Sequence, residues 1–279
     1  MTTHAHTARH IGEEGVDPAL TDLRHKKGFI CDMDGVIYHG NKLLPGVKEF
    51  VEWLITSKKH FLFLTNSSER TKLELKQKLE RMGLEVGEEH FYTSALATAK
   101  FLSQQAPNCT VYAIGDAGLT NALYEAGITM NDVNPDYVVV GETRNYNYES
   151  IQRAVRFVTN GSKLVATNPD ITAPGEDGIT PACAALVAPI ALCTGKKAYY
   201  IGKPNALMMR TGLKILNVHS GEAVMIGDRM DTDVVAGIES GMTTVLVLSG
   251  ISTRATVKQF AYRPTYILNG VGDIPPKDV

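Results

Sequence analysis

Several short apolar runs share one habit: each stops at a polar or glycine-rich turn, and a helical pattern follows. "FICD" stops at Asp32, "HFLFLTNSS" at Thr65, "AYYIGKPN" at Lys203, "AVMIGDRMDTD" at Asp228 and "TTVLVLSG" at Ser249. Apolar runs this short, bounded this way, are strands buried on both faces. Their alternation with helices predicts βα units, hence an α/β fold with a doubly wound, Rossmann-like parallel sheet. After Thr65, Ser67 or Ser68 is read as the cap of a helix carrying Leu75, Leu79 and Met82, with Gly83 as its stop. Pro204 suits a first helical turn, and "ALMMRTGLKILNV" supplies the apolar face that follows.

In an open parallel sheet, ligands gather outside the carboxyl ends of the strands. Asp32, Asp34, Thr65, Lys203 and Asp228 are therefore expected at one edge. Asp32 and Thr65 are 33 residues apart and Lys203 and Asp228 are 25 apart, each room for one strand-helix-strand step. The 138 residues from Thr65 to Lys203 are too many for a single crossover. Inside that gap lie the strand-like runs "TVYAIG", "DYVVVG" and "KLVATN", with helical patterns such as "LTNALYEAG" between them. An α/β insert of roughly 90 residues fits there. We expect it at 107–196, with a core of 27–106 and 197–279 and a flexible tail of 1–26.

Of the 279 residues, 44% are hydrophobic and 21% charged, with 28 basic against 30 acidic side chains and a formal net charge of −2. No run of like charge stands out, which argues against a nucleic-acid partner or a polybasic membrane patch. No apolar run approaches the roughly 18 residues of a membrane span. The first residues lack the apolar core of a signal peptide, and His4, His6 and His10 are read as part of a loose tail. Cys31, Cys109, Cys183 and Cys193 show no C-x-x-C spacing and stand mostly among apolar residues. They are expected to be reduced and buried, and the chain cytoplasmic. The N-x-S/T triplets at Asn66, Asn108 and Asn160 are then chance. A homo-oligomer is left open.

Asp32 and Asp34 lie at a strand end, where Asp34-Gly35 should turn the chain. "GDRMDTD" adds Asp228, Asp231 and Asp233. Clustered carboxylates call for a hard divalent cation, and Mg²⁺ prefers oxygen ligands. Zinc is disfavoured, because no His or Cys has ligand spacing near these acids. Lys203 can hold a transferring group by its charge. Thr65, Asn66 and Ser67 offer hydroxyl and amide donors where an anion is favoured. Such a set suits phosphate, with an aspartate as nucleophile. Taken singly the signals are weak: most D-x-D pairs are turns, and a Lys beside Pro is usually on the surface. Their joint order, each at a strand end, is specific.

These residues carry a resemblance. "DMDGVI", "FLTNSS", "GKPN" and "GDRMDTDV" resemble, in order, the four motifs of the haloacid dehalogenase superfamily. "TSALATA", "VNPDYVVVGETR", "ATNPD", "PACAALVAPI" and "VLVLSG" extend the likeness to its NagD-type class IIA phosphatases, over roughly residues 28 to 270. The resemblance implies Asp32 as nucleophile and Asp34 as general acid and base. It implies Mg²⁺ held by Asp32, the backbone carbonyl of Asp34, and Asp228, with Asp233 as the second acid of the fourth motif. Thr65, Asn66 and Ser67 would bind the phosphoryl oxygens, and Lys203 would neutralise them. Because the insert follows the second motif, it resembles the α/β cap of the C2 type.

Within that cap "ATNPD" is a candidate specificity loop with Asn168 as a substrate contact, and a plain Asn-Pro turn stands equal beside it. Asp231 has no role in the family pattern and is read as a solvated loop acid. "AIGDAG" around Asp116 imitates the fourth motif, but Asn121 stands where the second acid would be, so Asp116 is read as a turn residue. No P-loop is present. The expected activity is Mg²⁺-dependent hydrolysis of small phosphorylated metabolites through an aspartyl-phosphate. Nucleoside monophosphates of the UMP or GMP kind come first, then sugar phosphates or pyridoxal phosphate. A phosphomutase or phosphotransferase using the same phospho-aspartate, or a non-catalytic phosphate-binding module, are the alternatives.

Overall fold

Gly28–Cys31 is wholly buried, as an apolar run between two neighbours in a parallel sheet should be. One neighbour is Ala223–Gly227, with Ile226 opposite Cys31. The other is His60–Thr65, with Phe63 opposite Cys31. Thr243–Val247, Tyr266–Leu268 and Arg9–His10 continue the sheet beyond Ala223–Gly227, every pair parallel. Phe29 meets Trp53 edge-on with ring centroids 5.5 Å apart, and Phe50 at 6.4 Å. Both partners belong to the Val47–Thr56 helix, which turns its apolar face to the strand. Burying a ring of this kind contributes about 2 kcal/mol.

The computed structural model describes residues 9–10, 19–175 and 178–276. They divide into two units, the first made of Met1–Leu64, Leu79–Val86 and Met209–Val279, the second of Thr65–Lys78 and Gly87–Met208. The expected insert, 107–196, falls within the second. His4 and His6 lie outside the described residues. The segment expected as a flexible tail includes a helix, Ala19–His25, with Leu20 and Leu23 buried. Two leucines at i and i+3 in "ALTDLRH" are enough to dock one short helix.

The second unit has its own parallel sheet, in the order Tyr199–Tyr200, Lys163–Ala166, Tyr137–Val140, Thr110–Ile114, Thr129–Met130. Tyr112, Ile114, Val138, Val140, Leu164 and Ala166 pack against Ala154, Phe157 and Val158 of the Tyr148–Thr159 helix and against Cys183–Thr194. The runs "TVYAIG", "DYVVVG" and "KLVATN" are thus strands. The α/β reading of both units holds.

Two local expectations are corrected. The helix after Thr65 is Lys72–Arg81, and its cap is Thr71. Thr71 Oγ1 accepts from the Glu74 N–H at 3.2 Å, while the Glu74 carboxylate accepts from the Thr71 N–H at 2.8 Å. That reciprocal pair outcompetes the earlier serines, and Gly83 (φ 79°) follows the helix as foreseen. The strand before Lys203 is only Tyr199–Tyr200, and Pro204 precedes the next helix, Ala206–Leu216. Asn205 Oδ1 accepts from the Leu207 N–H at 3.0 Å and starts that helix. Thr71→Ala should cost about 1 kcal/mol in urea unfolding; a change under a few tenths would remove the capping assignment.

Candidate active site

Asp32 and Asp228 leave adjacent parallel strands at the same edge. The Asp32 N–H donates to the Ile226 carbonyl at 2.8 Å, extending the ladder by one residue before the chains part. Asp233 comes from the single π turn Met230–Val234, and its Oδ2 accepts from the Arg229 N–H at 3.1 Å. Such turns re-aim side chains and occur often at functional sites. Asp32, Asp228 and Asp233 each bring an oxygen within 4.8 Å of the others, with Asp228 and Asp233 buried. Three negative carboxylates this close repel strongly where water is scarce. The donor set is all oxygen, without nitrogen or sulfur, and fits a hard divalent cation.

Asp34 stands apart from this trio. Its side chain is half exposed, with Oδ1 3.9 Å from His39 Nδ1. Its expected part in metal binding runs through the backbone carbonyl, and its carboxylate is not one of the clustered three. The following Gly35 has φ 76°, and a Cβ there would come within 2.5 Å of Asp228 Oδ2. Gly250 approaches the same oxygen more closely still, while the Ile251 N–H donates to it at 2.7 Å. Ser249 Oγ donates to the Gly35 carbonyl at 2.8 Å and ties the two turns together. A Cβ on Gly227 would likewise overlap Asp233.

Gly227, Gly250 and Ile251 escaped the sequence reading, and Gly35 was read only as part of a turn. Their signal was a Gly at each strand-end turn, beside an acid in "DMDG" and "GDRM" and after Ser249 in "LSGI". Gly250→Ala should push Asp228 aside and weaken metal binding about 10- to 100-fold, the usual loss when a ligand's support is disturbed. An unchanged metal titration would remove the glycine from that role.

Asp231 is half exposed and lies outside the trio, as expected of a solvated acid, and it is paired with Arg229. Arg229 Nε and Nη2 donate to its two oxygens at 3.1 and 2.8 Å. Partial burial raises its carboxyl, but the bonds and charge of Arg229 outweigh that and hold it below the usual range. Asp116 begins the Ala117–Glu125 helix, consistent with a turn residue.

The second unit gathers the rest. Thr65 ends its strand, and its Oγ1 accepts from the Ser67 N–H at 3.0 Å. Lys203 is buried, and its backbone is bound twice to Asn66. Its N–H donates to Asn66 Oδ1 at 2.8 Å, and Asn66 Nδ2 returns a bond to its carbonyl at 3.1 Å. Asn66 Nδ2 also donates to Asp170 Oδ2 at 2.9 Å. A Cβ on Gly202 would come within 2.7 Å of Asn66 Oδ1, so the approach needs glycine.

Asn168 is fully buried, and its amide donates to the Asn66 carbonyl at 2.7 Å and to Glu142 Oε1 at 2.5 Å. The turn reading of "ATNPD" fits this better than a substrate contact, since no surface of Asn168 is open. Glu142 was missed. Its Oε2 accepts from the Ser68 N–H at 2.9 Å and from the Ser68 hydroxyl. Burial raises its carboxyl above the usual value, against the lowering effect of the Ser68 and Asn168 bonds. The available signal was an acid directly after "YVVVG".

Among the described residues no helix is long and apolar enough to cross a membrane. Cys31, Cys109 and Cys183 are free and buried as expected, whereas Cys193 is exposed near the end of its helix.

Two family models match the chain: haloacid dehalogenase-like hydrolase over residues 29–129 and HAD-hydrolase-like over residues 200–274. The dihydroxyacetone phosphatase of Corynebacterium glutamicum is 44% identical over 246 residues, 88% of this chain and 90% of that protein. The ribonucleotide monophosphatase NagD of Escherichia coli K12 is 41% identical over 248 residues, 89% of this chain and 98% of its own. Among solved structures, a 4-nitrophenylphosphatase from Thermotoga maritima superposes with a TM-score of 0.87 at 31% identity, covering 91% of this chain and 97% of that one.

Proposed function

Since this chain belongs to the haloacid dehalogenase-like hydrolases, among their NagD-type class IIA phosphatases, we propose that it hydrolyses small phosphomonoesters with Mg²⁺ bound at Asp32, Asp228 and Asp233. The observation that carries the reading is the trio of carboxylates at adjacent strand ends, within 4.8 Å of one another. Mg²⁺ bound there would offset the charge of the trio and of the phosphoryl oxygens.

In this reading an Asp32 oxygen attacks phosphorus and the ester P–O bond breaks. The phosphoryl group passes to Asp32, and Asp34 gives its proton to the departing alkoxide. Asp34 then takes a proton from water, which attacks the aspartyl-phosphate and frees inorganic phosphate. Its half-exposed position suits an acid that must exchange protons with solvent. Thr65, Asn66 and Ser67 hold the phosphoryl oxygens, and Lys203 neutralises them.

The names of the relatives, a ribonucleotide monophosphatase and a dihydroxyacetone phosphatase, support nucleoside monophosphates and small sugar phosphates as substrates. The buried free thiols support a cytoplasmic setting. Purified protein should release phosphate from nucleoside monophosphates, dihydroxyacetone phosphate and p-nitrophenyl phosphate with Mg²⁺, and should stop with EDTA. No release from any of them in a Mg²⁺ screen would refute the hydrolase reading. Transfer only in the presence of a bisphosphate activator would favour a mutase.

A further inference from the structure

Resting on the reading of residues 65–67 as the phosphoryl-binding segment, we propose that Glu142 is a positioning residue for the reaction: through Ser68 and Asn168 it fixes the backbone that receives the phosphoryl oxygens. Three donors converge on its carboxylate, the N–H and hydroxyl of Ser68 on one oxygen and the Asn168 amide on the other. The Asn168 amide reaches onward to the Asn66 carbonyl, which Ser94 Oγ also meets at 2.5 Å. The peptide after Asn66 and the N–H of Ser68 are therefore both fixed, and with them the directions of the Asn66 amide and the Thr65 hydroxyl.

Only a carboxylate satisfies this arrangement. Both of its oxygens accept, whereas a glutamine would turn an NH₂ toward either Ser68 or Asn168, each already a donor. Burying an acid here is costly, and an acid that merely filled space could be replaced by an apolar side chain. The segment is also enclosed by backbone. A Cβ on Gly141 would come within 2.7 Å of Ser68 Oγ, and one on Gly118 within 2.5 Å of the Ser68 carbonyl. The Gly118 N–H donates to the Glu69 carbonyl at 2.9 Å. With the segment so confined, Glu142→Gln shifts it slightly without releasing it, and the effect falls on phosphoryl binding.

The test uses the full-length enzyme with p-nitrophenyl phosphate as substrate and inorganic phosphate as competing product. Glu142→Gln should raise both KM and the inhibition constant of phosphate by about 10-fold, with a smaller fall in kcat, the scale on which sub-ångström misplacement acts. It should also reduce the rise in melting temperature expected when phosphate is added to the wild type, while half-saturating Mg²⁺ stays the same. Ser68→Ala, which removes one donor and keeps the carboxylate, should shift KM and the phosphate constant the same way by a smaller factor. That variant keeps the test open if Glu142→Gln does not fold. The double variant should be no worse than Glu142→Gln alone.

Wild-type KM and phosphate inhibition in both variants would overturn the proposal. So would a fall in activity that only tracks the unfolded fraction, or fully additive effects. A wild-type protein inactive with Mg²⁺ would overturn the phosphatase reading and this proposal together, whereas an active wild type with unaltered variants overturns this proposal alone.

Discussion

Asp32→Asn should fall in turnover by about 10⁴-fold or more, the scale on which loss of a nucleophile acts in other enzymes. An amide oxygen does not attack phosphorus at neutral pH, and no neighbouring carboxylate can substitute. Asp228 and Asp233 are buried and committed to their turns through Ile251 and Arg229, and Asp34 lies outside the trio. The same change removes one of three mutually repelling charges, so the metal-free protein should melt at the same temperature or higher. Mg²⁺ should stabilise the variant less than the wild type, since one ligand has lost its charge. Thermal melts with EDTA and with Mg²⁺, beside a phosphate-release assay, check all three. Turnover within 100-fold of wild type would assign the attack elsewhere.

The strand-end acids were legible because a buried run has one cause for stopping at Asp: the chain has reached the sheet edge. "FICD" and "AVMIGD" therefore placed Asp32 and Asp228 at one sheet edge, while the adjacency of Gly28–Cys31 and Ala223–Gly227 is a finding of the structure. The strands of the insert were legible for the same reason. What spacing did not reveal was which partners hold the 66–68 segment. Its hydrogen bonds run to Glu142, Asn168 and Lys203, which are 74 or more positions away from Ser68 and Asn66. Those residues draw Thr65–Lys78 into the second unit, although in sequence this stretch follows a strand of the first. The burial of Asn168, which no short motif encodes, favours the turn reading of "ATNPD" over the substrate contact. The Thr71–Glu74 cap is written in "TKLE", which has the capping-box spacing, while the serines of "TNSS" offer competing cap residues nearer the strand end.

Lys203→Met should lower kcat/KM for phosphomonoesters by about 10²- to 10³-fold, the usual loss when one electrostatic stabiliser of a transition state is removed. Methionine approximates the length of the lysine stem and suits a buried site, so the fold should survive. Removing a buried ammonium relieves a desolvation cost and removes its local attractions as well, so the melting temperature should move little. The backbone at this position is bound to the Asn66 side chain in both directions. Neither bond depends on the Lys203 side chain, so the 66–68 segment should keep its place. What is lost is positive charge toward the phosphoryl group. Phosphate inhibition should therefore weaken along with kcat, in contrast to Glu142→Gln, where KM and phosphate inhibition change more than kcat. Lys203→Arg should not rescue: the position is buried, and the planar guanidinium is larger than the ammonium and places its donors differently. A Lys203→Met enzyme within threefold of wild type on both kcat and phosphate inhibition would mean that the lysine holds the fold and that another cation meets the phosphoryl charge.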